Sequence, residues 1–559
     1  MPAHEVTNQP PPLIGYDASD DPALLAALEA FHPEGAEGTA GAAGAAGAEG
    51  AAVSAARLRG IGRLAGSEHA QEQGRLANEN PPKLRTHDRY GHRIDEVEFH
   101  PAWHDLMTTA IEHGLHATPW QDQRPGAHLD RAAGFYVWGQ AEAGHLCPVS
   151  MTYAIVPALR HAPELAAQFE PLLAATAYDP SRRPPAAKHG LTAGMSMTEK
   201  QGGSDVRANT TTAAKAGDGT YRITGHKWFT SAPMGDLFMV LAQTPGKGQT
   251  CFLLPKVLPD GTRNAMHLQR LKDKLGNRSN ASAEVEYDNA TAWLVGEEGR
   301  GVPTILDMVN ATRLDCVLAA ATGLRLGVLH AAHHASHRAA FGKTLTDQPL
   351  MANVLADLAI ESEAATLVAM RLAKAADRAA NGDDEEKAFR RLGLAVTKYH
   401  VCKLAPAHAA EALECLGGNG YVEESGLPRL YREAPLQSIW EGSGNVAALD
   451  ALRALTRQPA AAEAFFAELD QGRGADRRLD DAIERLKKDA ADPSEQAARR
   501  LAESMAVTLQ ASLLVRHGHP AVADAFTATR LSGAGGRAYG TLPQGTRTQD
   551  IVPRAIPKT

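Results

Sequence analysis

The chain has 559 residues, of which 44% are apolar and 22% charged; these values are typical of globular proteins and exclude wholesale disorder. Its five cysteines form neither a CxxC pair nor another zinc-binding spacing, which argues against a disulfide scaffold. The net charge of −8 is uneven, because residues 451–559 carry 16 basic against 13 acidic side chains and the rest of the chain is acidic. Aromatic residues make up 5%, which leaves few stacking surfaces for single-stranded nucleic acid.

The N-terminus, MPAHEVTNQP, has neither the basic nor the apolar region of a secretion signal. No window approaches ~18 uninterrupted apolar residues, the length needed to cross a membrane. We therefore expect a cytoplasmic protein without a membrane span.

The first predicted domain, residues 1–190, is α-helical. Runs such as HPAWHDLMTTAIEHGL and YAIVPALRHAPELAAQF place apolar residues three and four positions apart between about residues 53 and 175. Residues 35–52 are alanine or glycine at all but three positions, which predicts a surface insertion or linker without a packed core. We assign no function to this insertion.

The next three predicted domains follow from changes of pattern along the chain. Residues 191–300 contain short alternating or apolar runs separated by GDG, PGKG and PDG, which predicts an antiparallel β-domain. Long Ala/Leu-rich helices return over residues 301–455, and residues 456–559 form a further helical, basic domain with a Gly/Pro/Arg-rich end. The fold class is therefore α+β.

Two segments of the β-domain contain candidate binding residues. MTEKQGGSDV, residues 197–206, has adjacent glycines, Gly202 and Gly203, which would let the backbone approach a ligand closely. A glycine-rich β-turn is an equally good interpretation. HKWFTS, residues 226–231, places a Trp-Phe pair on a strand, where such pairs more often belong to the core.

Two further segments lie among the helices that follow. RAAFGKTLTDQPL, residues 338–350, has an arginine three residues before a phenylalanine, although a helix end with the arginine on its surface and Gly342 as its C-cap is the plain alternative. EALECLGGNGY and SIWEGSGNVAALDAL, residues 411–421 and 438–452, combine a glycine-rich helix end with a glutamate at the start of another helix. Each motif alone is weak evidence for function.

Together, and in this order over some 250 residues, the four segments resemble the motifs of the acyl-CoA dehydrogenase flavoproteins. The resemblance implies an N-terminal helical domain, a middle antiparallel β-domain, a C-terminal helical bundle and FAD as cofactor. The residues that it implies for cofactor binding are Met195, Met197, Thr198, Gly203, Ser204, Trp228, Phe229, Thr230, Ser231, Arg338, Phe341, Gln348, Gly417, Gly418, Ile439, Trp440, Ser443, Gly444 and Asn445.

The resemblance also assigns parts of the cofactor to these residues. Thr198 lies at the flavin edge and Ser204 near the phosphates, whereas Arg338 reaches the pyrophosphate of an FAD held by a neighbouring subunit, which suits its planar fork of donors. Glu414 stands where the broader family usually has glutamine. Substrate contacts are implied for Thr198, Ser231 and Arg313.

Glu441 matches the catalytic base of the family. Some members place the base before an Arg-Leu pair on an earlier helix, but that position is Thr312 in this chain. The neighbouring Trp440 would raise the pKa of Glu441 and the following helix N-terminus would lower it, so the direction stays open. Asp315 is the next candidate for the base, by its proximity to Arg313.

A closer resemblance, from Asn8 almost to the C-terminus, is to the AidB branch of the family. It extends over PPKLRTHDRYGHRIDEVEFHPAWHDLM, RLKDKLGNRSNASAEVEY and EESGLPRLYREAPLQSIWEGSGNV. It implies an extra helical C-terminal domain of a DNA-binding type, a homotetramer and binding of double-stranded DNA with little sequence preference. It also implies protection from, or action on, alkylation damage, with at most weak acyl-CoA dehydrogenase activity. A metabolic acyl-CoA dehydrogenase whose extra domain serves assembly is the alternative.

The tail itself is only mildly basic. Residues 511–559 contain six basic and two acidic side chains, and the arginines Arg516, Arg530, Arg537 and Arg547 are the candidates for phosphate contacts. Charge alone favours a solvated surface, whereas the resemblance favours DNA.

Four histidines, His330, His333, His334 and His337, share one face of a predicted helix at a spacing that could hold a metal. No carboxylate and no HExxH motif accompanies them, so we expect partly exposed interface histidines and no metal site.

Overall fold

The structure is a computed structural model that describes residues 4–33, 42–122 and 124–558, with the backbone alone for residues 42–53. The chain divides into two compact units. The helical unit comprises Met1–Gln71, Arg124–Gln140 and Cys316–Thr559, and the β-unit comprises Glu72–Gln123 and Ala141–Asp315.

Seventeen α-helices occur in the described residues: α1 (Pro22–Phe31), α2 (Ala42–Ala65), α3 (Glu68–Glu79), α4 (Pro101–Glu112), α5 (Ala127–Trp138), α6 (Leu146–Leu159), α7 (Pro163–Leu173), α8 (Gly301–His337), α9 (Pro349–Ala380), α10 (Asp384–Glu414), α11 (Leu427–Glu433), α12 (Gly444–Arg457), α13 (Pro459–Asp470), α14 (Arg477–Ala491), α15 (Ala498–His517), α16 (Pro520–Phe526) and α17 (Thr548–Ala555).

Eleven strands accompany them in the same residues: β1 (Lys83–His87), β2 (Arg93–Glu98), β3 (Ala193–Thr198), β4 (Thr212–Lys215), β5 (Tyr221–Ser231), β6 (Leu237–Thr244), β7 (Gly248–Pro255), β8 (Met266–Leu271), β9 (Ser282–Val295), β10 (Ala339–Ala340) and β11 (Lys343–Thr344).

The β-unit is built on a seven-stranded sheet in the order β3-β5-β4-β6-β7-β9-β8, with additional pairings of β3 with β6 and of β5 with β9. Its core is formed by alternating inward side chains such as Tyr221, Phe238 and Phe252, all at most 2% exposed. The predicted β-domain is therefore present, but β3 and β6 run parallel, so the sheet is not purely antiparallel.

The helical unit is organised around α9 and α10. Nearly every residue from Leu355 to Asp377 of α9 is buried, and α10 packs against α9, α12, α13 and α15. These two helices therefore form the centre of the unit, with the amphipathic tail helices around them.

The tail, residues 456–559, is not a separate compact domain, because it belongs to the helical unit. Arginines of the tail form ion pairs with buried carboxylates: Arg530 binds Asp357 and Glu361 of α9, Arg554 binds Glu363 of α9, and Arg516 binds Glu468 of α13, which is itself part of the tail. Since these carboxylates are at most 6% exposed, the pairs of Arg530 and Arg554 fix the tail to α9, and Glu468 adds a further link through its own ion pair with Arg371 of α9.

Two stretches differ from the sequence prediction. The helical region expected over residues 53–175 is interrupted by the hairpin of β1 and β2, whose turn is closed by the Asp88 carboxylate accepting the N–H groups of Tyr90 and His92. In the Ala/Gly-rich stretch, residues 35–41 lie outside the described residues, and α2 begins at Ala42, consistent with the high helix propensity of alanine.

One helix of the described chain, α8, is long and apolar enough to cross a membrane, with a mean hydropathy of 1.4 over its best window. Of this window, 78% is buried inside the protein, as in a core helix.

The five cysteines, Cys147, Cys251, Cys316, Cys402 and Cys415, are all buried.

Candidate active site

The β-unit brings the first two motifs together through the pairing of β3 with β5. Met195 lies opposite Ser231, Ser196 opposite Thr230, and Thr198 opposite Phe229, with a register shift between Ser196 and Thr198. The irregularity places Thr198 and Phe229 next to each other at the end of β3. Two segments that are about 30 residues apart in sequence therefore form one surface.

The glycines of the first motif are needed where the loop turns back on β3. A Cβ at Gly203 would lie 2.7 Å from the Thr198 hydroxyl, so a larger residue would displace that side chain. Gly202 has φ +124° with open space around it, and Ser204 is exposed. The loop therefore presents its backbone to solvent directly beside Thr198, as a close-fitting cofactor requires.

The Trp-Phe pair is accessible, in contrast to a core pair. Phe229 is 46% exposed within a strand whose neighbour Thr230 is fully buried. The Lys272 ammonium lies 3.3 Å from the centre of the Trp228 ring and 4.5 Å from that of Phe229, so both rings share one cation. This aromatic surface fits a planar ring system.

Two predicted cofactor residues have buried side chains. The Thr230 hydroxyl hydrogen-bonds to Ser196 inside the β-unit, and the Met195 side chain is also directed away from solvent, at 7% exposure. The alternation of side chains along a strand explains this, because neighbours of exposed residues point inward. The structure therefore does not support a contact of the Thr230 or Met195 side chain with the cofactor. The side chains that keep accessible surface are those of Met197, Thr198, Trp228, Phe229 and Ser231.

A buried ion pair, missed by the sequence prediction, joins the same two motifs. Lys227 Nζ lies 3.0 Å from the Glu199 carboxylate and also donates to the Leu241 carbonyl, and both side chains are 0% exposed. Burial alone would raise the pKa of Glu199, but the Lys227 charge and the N–H of Thr210 hold it at about 2. The only sequence signal was a lysine directly before the aromatic pair.

The third motif forms a tight hairpin rather than a helix cap. Strands β10 and β11 are joined by Phe341 and Gly342, with φ values of +53° and +79°. Such two-residue turns normally use Asn or Gly, so phenylalanine is strained there, and its ring is 99% exposed. Gln348 donates to the Ala340 carbonyl and braces the hairpin. The interpretation of Gly342 as a C-cap was wrong.

The glycine-rich loop after α10 is equally open. Gly417 and Gly418 are exposed, and a Cβ on either would meet nothing within 4 Å. Gly420 is different, because its Cβ would lie 2.0 Å from the Leu413 carbonyl oxygen. The first two glycines therefore leave space for a ligand, whereas the third is required for chain packing.

The predicted base, Glu441, lies in a strained turn before α12. Its φ is +57°, a left-handed conformation that a glutamate rarely adopts, and Gly442 follows at φ +100°. Ser443, Gly444 and Asn445 begin α12, whose first N–H groups have no side-chain cap from Ser443. Ile439 is 61% exposed, and the Trp440 indole donates to Gln437.

Lys398 of α10 hydrogen-bonds to the backbone of this turn. Its side chain is 1% exposed, and its ammonium donates to the carbonyls of Trp440 and Gly442, the residues on either side of Glu441. Sequence reasoning missed Lys398. The signal was a lysine on the apolar face of α10, four residues after the buried Leu394.

Most of the remaining predicted site residues are buried or make contacts within the chain. Arg313 and Asp315 are buried in α8, at 7% and 3% exposure. His333 hydrogen-bonds to the Pro11 carbonyl, and no group of His, Cys, Asp or Glu in the described residues could hold a metal ion. Among the predicted DNA contacts, Arg516 and Arg530 are used in the ion pairs of the tail, Arg547 lies 3.5 Å from Asp550, and Arg537 is exposed.

Comparison with known proteins identifies the family. Residues 8–180 match the N-terminal domain of adaptive response protein AidB, residues 194–290 the acyl-CoA dehydrogenase middle domain, and residues 299–456 the acyl-CoA dehydrogenase C-terminal domain. AidB of Escherichia coli (strain K12) is 45% identical over 484 residues, which cover 86% of this chain and 88% of that protein. The chain belongs to the acyl-CoA dehydrogenase family. Members of this family bind FAD and are oxidoreductases that act on CH–CH donors.

Solved structures of family members agree with the fold. The crystal structure of Caenorhabditis elegans ACDH-11 in complex with C11-CoA has a TM-score of 0.84 at 26% identity, covering 95% of this chain and 94% of that one. An acyl-CoA dehydrogenase from Bacillus anthracis, complexed with FAD, has a TM-score of 0.59 at 18% identity and covers 81% of each chain. The predicted acyl-CoA dehydrogenase-like architecture is thus confirmed.

Proposed function

We propose that the protein removes two hydrogens from the α- and β-carbons of an acyl-CoA thioester, with Glu441 as the base. The observation that supports this most strongly is the strained turn, in which Lys398 fixes both carbonyls beside Glu441. Residues with unfavourable backbone conformations persist where the surrounding structure compensates for them, and they are concentrated at active sites.

The proposed chemistry divides the work between the chain and its cofactor. The Glu441 carboxylate would take the α-proton as the carbon–carbon double bond forms, and a bound FAD would supply the acceptor for the hydride that leaves the β-carbon. The flavin would be held by Thr198, Trp228, Phe229 and the loop that contains Gly202 and Gly203. The relative ACDH-11 was solved with C11-CoA, which supports an acyl-CoA as the ligand class.

The base is tested by Glu441→Gln, with Glu424→Gln, an exposed glutamate 17 residues earlier in the chain, as the matched control. We expect the Glu441→Gln variant to retain FAD but to lose reduction of flavin by undecanoyl-CoA by at least ~100-fold, measured as bleaching under anaerobic conditions. Equal bleaching rates in this variant and the native protein would exclude Glu441 as the base.

As a second function, we propose binding of double-stranded DNA in protection from alkylation damage, as the relationship to AidB suggests. The supporting feature is a cleft of about 450 Å³ in the tail, lined by Arg485, Arg499, Arg500 and Arg530 together with Asp489 and Glu503. Arg500 is exposed and takes part in none of the ion pairs of the described residues. Arg500 and Arg537 therefore replace Arg516 and Arg530 as the phosphate contacts that we propose.

DNA binding is tested on the full chain through its salt dependence. Each phosphate contact contributes about −0.9 to the slope of log affinity against log salt, so Arg500→Ala and Arg537→Ala should each reduce the slope by about one. Arg75→Ala, an exposed arginine already paired with Glu72 and Glu79, is the control. Salt-independent or undetectable binding, with turnover at ~1–1000 per second, would instead favour the metabolic dehydrogenase.

We also propose a cytoplasmic homotetramer. Several large apolar side chains of the helical unit are exposed in the single chain, namely Phe341, Leu350, Tyr421 and Ile439, at 99, 83, 82 and 61%. Apolar surface of this extent usually contacts another molecule. Sedimentation of the FAD-bound protein tests the assembly, and a monomer at micromolar concentration would contradict it.

A further inference from the structure

The N-terminal strap, which we define as residues 8–11, lies across the hairpin of β10 and β11. The Asn8 side-chain amide donates to the Ala339 carbonyl at 2.9 Å, and its carbonyl oxygen accepts the Ala339 N–H at 2.8 Å. This pair of bonds is the one that a neighbouring strand would make, so the Asn8 side chain takes the place of a strand partner. Asn8 has φ +56°, which asparagine tolerates better than most residues.

The strap also fixes the arginine of the third motif. Arg338 donates from one terminal nitrogen to the Asn8 backbone carbonyl at 2.8 Å. None of the described carboxylates forms an ion pair with Arg338, so this neutral acceptor orients the guanidinium without cancelling its charge. The remaining N–H donors of the fork stay available for an anion.

Two further contacts anchor the strap. The Pro11 carbonyl lies 2.8 Å from Nε2 of His333, which is 5% exposed. The Gln9 side chain accepts a hydrogen bond from Asn419 in the glycine-rich loop, at 3.2 Å. The strap therefore connects the hairpin with the glycine-rich loop after α10, two segments whose nearest ends, Thr344 and Gly417, are 73 residues apart in the chain.

We propose that the N-terminal strap is part of the cofactor site, and that Asn8 is a positioning residue that holds Arg338 ready for the pyrophosphate of FAD. The inference depends on the proposed role of Arg338 in binding FAD. The match to the AidB N-terminal domain begins at residue 8, so the strap is the first segment shared with that family. Asn8 acts through Arg338 and the hairpin and need not contact the cofactor.

The test compares four full-length proteins: Asn8→Ala, Arg338→Ala, the double variant, and Thr7→Ala as the matched control from the same exposed segment. Asn8→Ala keeps the backbone carbonyl but loses both side-chain bonds that seat it. We expect the FAD dissociation constant, measured by quenching of flavin fluorescence, to rise about 10-fold in Asn8→Ala and more in Arg338→Ala. The double variant should bind no more weakly than Arg338→Ala alone.

Thermal unfolding without FAD separates positioning from folding. The Tm of the FAD-free Asn8→Ala protein should stay within about 2 °C of the native value, because Asn8 is exposed. Native FAD affinity in Asn8→Ala, with weakened binding in Arg338→Ala, would overturn the role of the strap alone. Native affinity in Arg338→Ala would overturn the proposed role of that arginine, and additive losses in the double variant would show that Asn8 does not act through it.

Discussion

At the scale of single residues, the backbone of Glu441 is the feature with the clearest chemical meaning. A left-handed glutamate costs of order 1–3 kcal/mol, and the turn is retained because neighbouring groups compensate for it. Lys398 supplies the compensation through two hydrogen bonds to carbonyls on either side. The carboxylate is thus carried by a backbone that cannot relax while the lysine is in place.

Replacing Lys398 by methionine should therefore destabilise the protein and slow its chemistry together. Two carbonyls would lose a charged donor, for an expected loss of about 2–4 kcal/mol in the free energy of unfolding in urea. Lys403→Met, five residues further along α10 and exposed, is the control. If Lys398→Met reduced its flavin with undecanoyl-CoA at the native rate, the turn would not depend on this lysine.

At the scale of elements, the loop after β3 is closed by the buried pair of Glu199 and Lys227. Glu199 also accepts the N–H groups of Thr210 and Thr211, so one carboxylate joins the two ends of the loop. Lys227 directly precedes Trp228 in the chain. The ion pair of Glu199 with Lys227 therefore fixes the position of the loop relative to the Trp228 and Phe229 side chains. Removing a single partner would leave an uncompensated charge in the interior.

Lys227→Met should accordingly cost about 3–5 kcal/mol of unfolding free energy, and Lys227→Met with Glu199→Gln should cost less, because no buried charge is left alone. FAD retention on a desalting column is expected to fall in the single variant and to recover in part in the double variant. If the loss of unfolding free energy in the double variant equalled the sum of the losses in the two single variants, the two side chains would act independently.

The tail is an element of the helical unit and not an appendage. A chain shortened near Leu455 would leave the buried Asp357, Glu361 and Glu363 without their arginines. We therefore expect Arg530→Ala to lower the unfolding free energy by about 3–5 kcal/mol and to leave the salt slope of DNA binding unchanged. A flattened salt slope with native stability would restore Arg530 as a phosphate contact.

At the scale of the whole molecule, histidines whose surroundings favour the neutral form connect stability with pH. Burial lowers the pKa of His408 to about 4, and burial with the charge of Arg429 does the same for His330. Since the unfolded chain takes up a proton below about pH 6.5, the contribution of each histidine is complete above that pH and is lost as the pH falls towards 4.

The free energy of unfolding should therefore fall between pH 6.5 and pH 4, by on the order of 3 kcal/mol for His408. In His408→Gln, whose amide can still donate to the Leu358 carbonyl, the fall should be smaller. Urea unfolding of both proteins across this range measures the difference, and identical pH curves would assign the acid loss to other groups.

The sequence predicted the order of the domains and the motif segments, because both depend on local periodicity and spacing. It could not predict which side chains of a motif face inward, as with Thr230, since that depends on the register of β3 with β5. The structural use of Arg516 and Arg530 depends on carboxylates as far as 173 residues away, which no local pattern reveals. Asn8 was missed for the same reason, whereas Lys398 had a local signal, a lysine on the apolar face of α10, that does not identify its partners near Glu441.

Because the cysteines are buried, their reaction with a thiol reagent measures local unfolding separately in the β-unit and in the helical unit. Burial raises the pKa of Cys402 to about 11 and that of Cys415, aided by Glu411, to about 12, and it raises that of Cys251 further. A thiol-specific reagent can therefore modify these sites only after local unfolding. Cys251 lies in the β-unit and Cys402 in the helical unit, so their separate labelling rates would measure which half loosens first when the cofactor dissociates.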